Sequence, residues 1–206
     1  MAIVGRSKLR DLFDDSPTPH IAHPPQSHRR DFYVATDGSY SRDGSGLGVI
    51  VETRDGERVA RFAVPDEAPN NNVAEYRALH LGLDVLAARA PRDARIGVLV
   101  DHNDLAGDVN TAALAARAHD YRPIKEFSPP ATADHHWRGI RARVVGFEEV
   151  RAAQLDSNTN PAHVLANEPE QYGHVNDEPA RCLLPERDTG DSQVPPPSRS
   201  DRRASD

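Results

Sequence analysis

Apolar and polar positions alternate along the first part of the chain and then change period. Residues 32–35 form a short apolar run, and residues 47–52 and 58–64 alternate apolar with polar side chains, with residues 54–57 as the turn between them. This pattern predicts a three-strand antiparallel meander. Thr36, Asp37, Gly38 and Ser39 read as a glycine-rich turn that closes the first strand and leaves an acidic residue at its end. Residues 65–69, bounded by prolines, end the sheet signal. Asn70, Asn71 and Asn72 are N-cap candidates for a helix over residues 73–89, whose spacing places Glu75, Leu79, Gly82, Leu83 and Leu86 on one side. Gly82 there allows close approach to a sheet.

Residues 95–100 are almost continuously apolar, as expected of a strand covered on both faces, and end at Asp101. Beyond it the pattern predicts a short helix over residues 111–118 and a long loop over 120–134. A helix follows over 137–150, with Trp137, Ile140, Val144 and Phe147 at helical spacing. A weak strand at 151–155 and a short helix at 161–166, with Asn158 or Asn160 near its cap, complete the series.

The ends differ from this middle. Residues 1–30 contain a possible short helix at 7–13 and then a Pro-, His- and Ser-rich stretch, so they read as a flexible extension. His20, His23 and His28 lie in it at a spacing that carries little metal-binding information. Residues 31–167 read as one folded domain. Residues 168–206 read as a mostly disordered tail, 168–179 being a bridge and 180–206 nearly devoid of apolar side chains. The chain of 206 residues suffices for one core.

Charge and composition narrow the function classes. The net charge is −7, and residues 31–166 alone hold 20 acidic and 15 basic side chains. A general nucleic-acid coat protein is therefore disfavoured, and a polyanionic partner has to be met by a local basic strip or through metal ions. Cys182 is the only cysteine, which excludes an intrachain disulfide and a cysteine-based zinc site. No apolar run reaches membrane-spanning length and no signal-peptide core is present, so a soluble, cytoplasmic monomer without membrane contact is expected.

Three carboxylates stand at structurally punctuated places: Asp37 after the first strand, Glu75 inside the first long helix, Asp101 after the fourth strand. Read singly, Asp37 fits a turn contact as well as a ligand, and Glu75 fits a rim residue near a helix N-terminus. Read together they point elsewhere. If the first and fourth strands are parallel neighbours, Asp37 and Asp101 emerge at one edge, and the helix can bring Glu75 to meet them. Such a group repels itself unless a cation compensates. Oxygen ligation favours Mg²⁺ or Mn²⁺, and two such ions can activate water and stabilise a leaving oxygen in phosphodiester cleavage.

The order of motifs resembles the ribonuclease H type I family, in its short form without an extended basic protrusion. DGSYSRDGSGLGVI resembles that family's opening motif, and NNVAEYRAL is a close match to its helix motif, with Glu75 as the glutamate. VLVDHNDL resembles the fourth-strand motif around Asp101, with His102 where serine is usual, and NTNPAHVLAN resembles a divergent closing motif. The resemblance covers residues 31–167. It implies an α/β, ribonuclease H-like fold, a five-stranded mixed sheet flanked by helices. It also implies metal-dependent endonucleolytic hydrolysis of the RNA strand of RNA–DNA hybrids, with two Mg²⁺ or Mn²⁺ ions.

Under the resemblance Asp37, Glu75 and Asp101 are catalytic metal ligands, and the family's fourth metal-binding aspartate falls on His163. Three outcomes are open there: His163 as a ligand that favours Mn²⁺, activity assisted by Asp104, or a catalytically weak module that binds hybrid or structured RNA. Gly38, Ser39, Asn71 and Asn72 are the expected substrate-binding residues, reading 2′-hydroxyls. Trp137, Arg141 and Arg143 are candidates for the backbone-facing side, against ordinary core and surface roles. His102 is a candidate phosphate contact or a polar loop residue. An exonuclease or transposase-like nuclease on the same fold is disfavoured by NNVAEY.

Overall fold

The computed structural model describes residues 7–19, 30–41, 44–117, 127 and 129–179. Its centre is a five-stranded mixed sheet of β1 (Phe32–Ser41), β2 (Gly44–Thr53), β3 (Arg58–Asp66), β4 (Arg95–Val100) and β5 (Glu149–Gln154), in the spatial order β3-β2-β1-β4-β5. β1, β2 and β3 form the antiparallel meander expected from their alternation, while β1–β4 and β4–β5 pair in parallel. The helices are α1 (Leu9–Asp15), α2 (Asn71–Arg89), α3 (Asn103–Arg117), α4 (Asp134–Gly146), α5 (His163–Asn167) and α6 (Pro169–Tyr172). One face of the sheet, with Val34, Val49 and Val98, packs under α2, α3 and α4. The other, with Tyr33, Ala35, Ile50 and Leu99, packs under α1 and α5. The expected α/β architecture is thus present.

Several boundaries differ from the pattern-based reading, each for a physical reason. β1 does not stop at Ala35 but runs through Thr36, Asp37, Gly38 and Ser39, with Asp37 opposite Gly48. The glycines that read as turn residues instead mark close backbone approach. A Cβ on Gly38 would lie 2.1 Å from the Ala74 carbonyl carbon of α2, and one on Gly48 would lie 2.2 Å from the Ala162 oxygen before α5. β3 continues through Pro65 because it is an edge strand, where a missing N–H costs little. Helix α3 begins eight residues earlier than expected, at Asn103 rather than 111. Asp108 and Asn110 had masked its apolar period; both are buried, and the Asn110 amide pairs with the N–H and C=O of Ala152 at 2.8 Å each. Helix α4 stops before Phe147, and Val150 belongs to β5.

The two ends of the described chain pack onto this body. Leu9 and Phe13 of α1 are fully buried within the segment read as flexible, and the Leu9 N–H donates to Glu52 at 3.0 Å. Past Asn167, α6 and the turn Gly173–Asp177 lie along β3. There Val175 is buried, and the Asn176 amide bonds both N–H and C=O of Ala63 at 2.8 Å. Their few apolar side chains had given no periodic signal. His20, His23, His28, Cys182, most of the 120–134 loop and the 180–206 tail lie outside the described residues.

Two glycine substitutions test this packing. Gly48→Ala is expected to lower stability by about 1–3 kcal/mol, since the added methyl meets the Ala162 carbonyl and must displace α5. Gly146→Ala, where nothing lies within 4 Å, is expected to be neutral or stabilising. Urea denaturation of both variants checks the contrast.

Candidate metal centre

The parallel pairing of β1 with β4 sets the centre. Ala35 stands opposite Leu99, so two residues further on Asp37 and Asp101 come level at the same edge of the sheet. Helix α2 supplies the third carboxylate. It starts at Asn71, with Asn70 as N-cap accepting from the Val73 N–H at 3.0 Å, and it presents Val73, Glu75, Leu79, Gly82, Leu83 and Leu86 on its buried side. Gly82 lets it settle on the sheet, where a Cβ would lie 2.8 Å from Thr36 Cγ2. Gly38, one residue beyond Asp37, admits the first turn of α2, and its nearby backbone N–H partly offsets the rise in the Glu75 proton affinity.

Asp37, Asp101 and His163 each offer a ligand atom, and these atoms lie within 4.8 Å of one another. Glu75 borders the group rather than closing on all three. It lies near enough to Asp101 and Asp37 for their charges to raise its proton affinity, but it does not share the common 4.8 Å radius. Both Asp37 and Glu75 are 2% exposed. Burial first, and then the neighbouring Asp101, push the Asp37 carboxyl up to about 7, with His163 opposing. Burial, Asp101 and Asp37 push Glu75 up to about 10. Among the described residues no lysine or arginine pairs with these three carboxylates, and Glu75 Oε2 is buried with no hydrogen-bond partner. An oxygen-rich, self-repelling group with a buried orphan acceptor fits a hard divalent cation.

His163 sits at the start of α5, held by a short relay. Ser39 Oγ donates to Asn167 Oδ1 at 2.5 Å, which turns the Asn167 amide nitrogen to His163 Nε2 at 2.8 Å. With Nε2 accepting, the ring proton sits on Nδ1 and points at Asp37 Oδ2, 3.2 Å away. In this arrangement His163 steadies Asp37, and it becomes a ligand through Nδ1 only after that proton leaves. Asn160 anchors the same corner, donating to the Thr36 carbonyl at 2.9 Å and accepting from the Ala162 N–H at 3.0 Å.

The remaining expected residues distribute as follows. Ser39 is in the relay. Gly38 is covered on its Cα side by α2, and Asn71 and Asn72 are exposed on the first turn of that helix. Asp104 lies on the exposed first turn of α3 and is not brought into the Asp37–Asp101–His163 group. His102 caps α3, its Nδ1 accepting from the Leu105 N–H at 3.1 Å. Trp137 is a core residue, edge-to-face with Tyr76. Arg143 pairs with Asp84 at 2.7 Å, and Arg141 lies over the Phe127 ring. Sequence reasoning missed Ser157, whose hydroxyl donates to Asp101 Oδ2 at 2.9 Å from a turn without any motif. It also missed Asn167, whose place as the last residue of the closing motif was the available signal.

Because both raised groups bind protons more tightly in the folded state, the stability they contribute is fully present below the ordinary carboxylate range. It is lost as pH rises, through about 7 for Asp37 and about 10 for Glu75. In a chelator at pH 7, Glu75→Gln is therefore expected to raise Tm by about 3 °C or more, the shift that roughly 1 kcal/mol produces in a domain of this size. With Mn²⁺ the order is expected to reverse. Thermal denaturation from pH 4 to 8, with and without the ion, reads both effects.

No protein-family model matches the chain, and no curated protein matches it in sequence. Solved structures do match. The N-terminal RNase H domain of a Mycobacterium tuberculosis protein, solved as a fusion with maltose-binding protein, is 21% identical with a TM-score of 0.51, over 66% of this chain and 96% of that one. RNase H1 of the halophilic archaeon Halobacterium salinarum is 20% identical with a TM-score of 0.52, over 68% and 98%. LC11-RNase H1, isolated from compost and crystallised with an RNA/DNA hybrid, is 19% identical with a TM-score of 0.50, over 66% and 94%. At these identities the likeness concerns the fold. The chain carries a ribonuclease H-like fold with a candidate metal-binding cluster at the edge where β1 and β4 meet.

Proposed function

We propose that the chain binds RNA–DNA hybrids at a divalent-cation centre built on Asp37, Glu75 and Asp101, and that it is a type I ribonuclease H that hydrolyses the RNA strand. The observation that carries this reading is that Asp37 and Asp101 converge with Glu75 at their border, Asp37 and Glu75 almost wholly buried, with no lysine or arginine paired to them among the described residues. Bound Mg²⁺ or Mn²⁺ would supply Lewis acidity for ionising a water and for taking up charge on the leaving oxygen. Asp37 and Asp101, level on neighbouring strands, hold the centre from the sheet. Glu75 holds it from α2 and accepts the proton of a water placed beside it. Hydrolysis adds that water across the P–O3′ bond and leaves a 3′-hydroxyl and a 5′-phosphate. An open depression beside Ser39 and Asn167 is lined by Asp66, Glu67, Glu168 and Glu170, with Arg77 paired to Asp66, so a nucleic-acid backbone is proposed to approach the centre along the exposed Asn71 and Asn72 instead. The exposed Asn71 and Asn72 are the amide groups proposed to meet the RNA 2′-hydroxyls.

A second reading shares the hybrid binding and differs in the chemistry: a module with weak catalysis. The state of His163 favours it. Both ring nitrogens are engaged, one by Asp37 and the other by Asn167, so the fourth position offers no anionic ligand for a second ion. Binding is common to both readings and is the better supported part.

A labelled hybrid separates them. Wild type with Mn²⁺ is expected to release RNA-strand fragments, and Asp37→Asn to reduce the rate at least a hundredfold while still retarding the hybrid in a gel. His163→Asp is expected to raise the rate with Mg²⁺. Retardation without hybrid-specific fragments under either metal supports the binding module; no retardation of a hybrid contradicts both readings.

A further inference from the structure

A second group of metal-ligating side chains lies between α2 and α4, on a part of α2 that faces away from the sheet-bound Glu75. His80 of α2 and His136 of α4 bring their Nδ1 atoms to 3.2 Å. Two imidazole nitrogens on a tetrahedral zinc, each about 2.0–2.1 Å from the metal, stand about 3.3–3.4 Å apart. His135 adjoins both rings, with centroids 6.3 Å from His80 and 5.4 Å from His136, and it is exposed, so its ring can turn toward them. We propose that His80 and His136, completed by His135 and water, form a binding site for Zn²⁺ or a similar borderline transition-metal ion, separate from the carboxylate centre.

Three further observations support the site. Gly139 leaves the space that the His80 ring fills, since a Cβ there would lie 2.1 Å from His80 Nε2. That same Nε2 faces Asp84 Oδ2 at 3.7 Å, and Asp84 is held in turn by Arg143 at 2.7 Å. At 3.7 Å this carboxylate is beyond hydrogen-bond distance, and it acts on the ring through its charge. Burial lowers the proton affinity of both His80 and His136, with Arg143 and His135 adding to the effect on His80, and His80, Arg77 and His135 on His136; Asp84 opposes it at His80 and Asp66 at His136. The rings are therefore neutral, the form that ligates, at pH 7. Imidazole-only ligation selects zinc, copper or nickel over the Mg²⁺ and Mn²⁺ suited to the carboxylates. Such an ion would clip α4 to the helix that carries Glu75.

Zn²⁺ binding to the full chain, measured by equilibrium dialysis and by the visible absorption of Co²⁺ as a tetrahedral probe, tests this. Zn²⁺ affinity is expected to fall at least tenfold in His80→Asn and in His136→Asn, and severalfold in the exposed His135→Asn. It is expected to persist in Asp37→Asn and in a variant with His20, His23 and His28 all replaced by asparagine. Gly139→Ala, which keeps every histidine but crowds the His80 ring, is expected to weaken binding as well, with circular dichroism confirming that each variant folds. Undiminished Zn²⁺ binding in His80→Asn and His136→Asn, loss confined to Asp37→Asn or to the N-terminal triple variant, or no Zn²⁺ binding by the wild type would overturn the proposal and leave an ordinary hydrogen-bonded histidine pair.

Discussion

The mutual repulsion of three carboxylates gathered at one sheet edge is the constraint around which this molecule is arranged. Asp37 and Asp101 are brought level by parallel strand pairing, and helix α2, packed on the sheet through its apolar face, carries Glu75 to their border. Its inner face carries Leu79, Leu83 and Leu86, and Gly38 of the sheet and Gly82 of the helix let their backbones approach closely. The fold therefore makes an electrostatically unfavourable cluster by means of favourable apolar burial. Burial first, and then the neighbouring carboxylates, raise the proton affinities of Asp37 and Glu75, and a divalent cation is the simplest agent that offsets that cost.

His163 belongs to the same corner. Histidine at 163 is held on one side by Asn167 and Ser39 and on the other turns its proton to Asp37, so the ring acts within a hydrogen-bonded relay from the end of β1 to α5. Glycines 46 and 48 of β2 let α5 lie directly on the strand, which is why a five-residue helix can place this ring so closely. The relay keeps Asp37 oriented when no metal is bound. It also makes a second, histidine-held ion dependent on proton loss from Nδ1.

Much of this was readable from the residues, for reasons that also explain the misses. The N-cap asparagines and the apolar side of α2 and the continuous apolar run of β4 placed those two elements, and the motif NNVAEYRAL, the Asp-Gly-Ser stretch and VLVDHNDL pointed to Asp37 and Asp101, which the structure brings together, and to Glu75, which borders them. The Asp-Gly-Ser stretch misled in one respect: it reads as a turn, but a glycine next to a helix backbone has the same composition as a glycine in a turn, and only tertiary packing tells them apart. Helix α3 was hidden because Asp108 and Asn110 are polar yet buried, serving β5 and the core rather than solvent. Helix α1 was legible as a short helix at 7–13, but the proline- and histidine-rich stretch after it hid its docking, in which Leu9 and Phe13 are fully buried and the Leu9 N–H reaches Glu52. The His80–His136 pair joins two helices distant in sequence, and no local spacing could have announced it.

Proton release on metal binding tests the central claim most directly. Calorimetric titration of the full chain with Mn²⁺ at pH 7, repeated in buffers of different ionisation enthalpy, counts the protons displaced. If the ion takes the place of protons shared among Asp37, Glu75 and Asp101, about one proton or more leaves per ion bound, and the count falls in Glu75→Gln. Saturable Mn²⁺ binding with no proton release, or release that Glu75→Gln leaves unchanged, would contradict it.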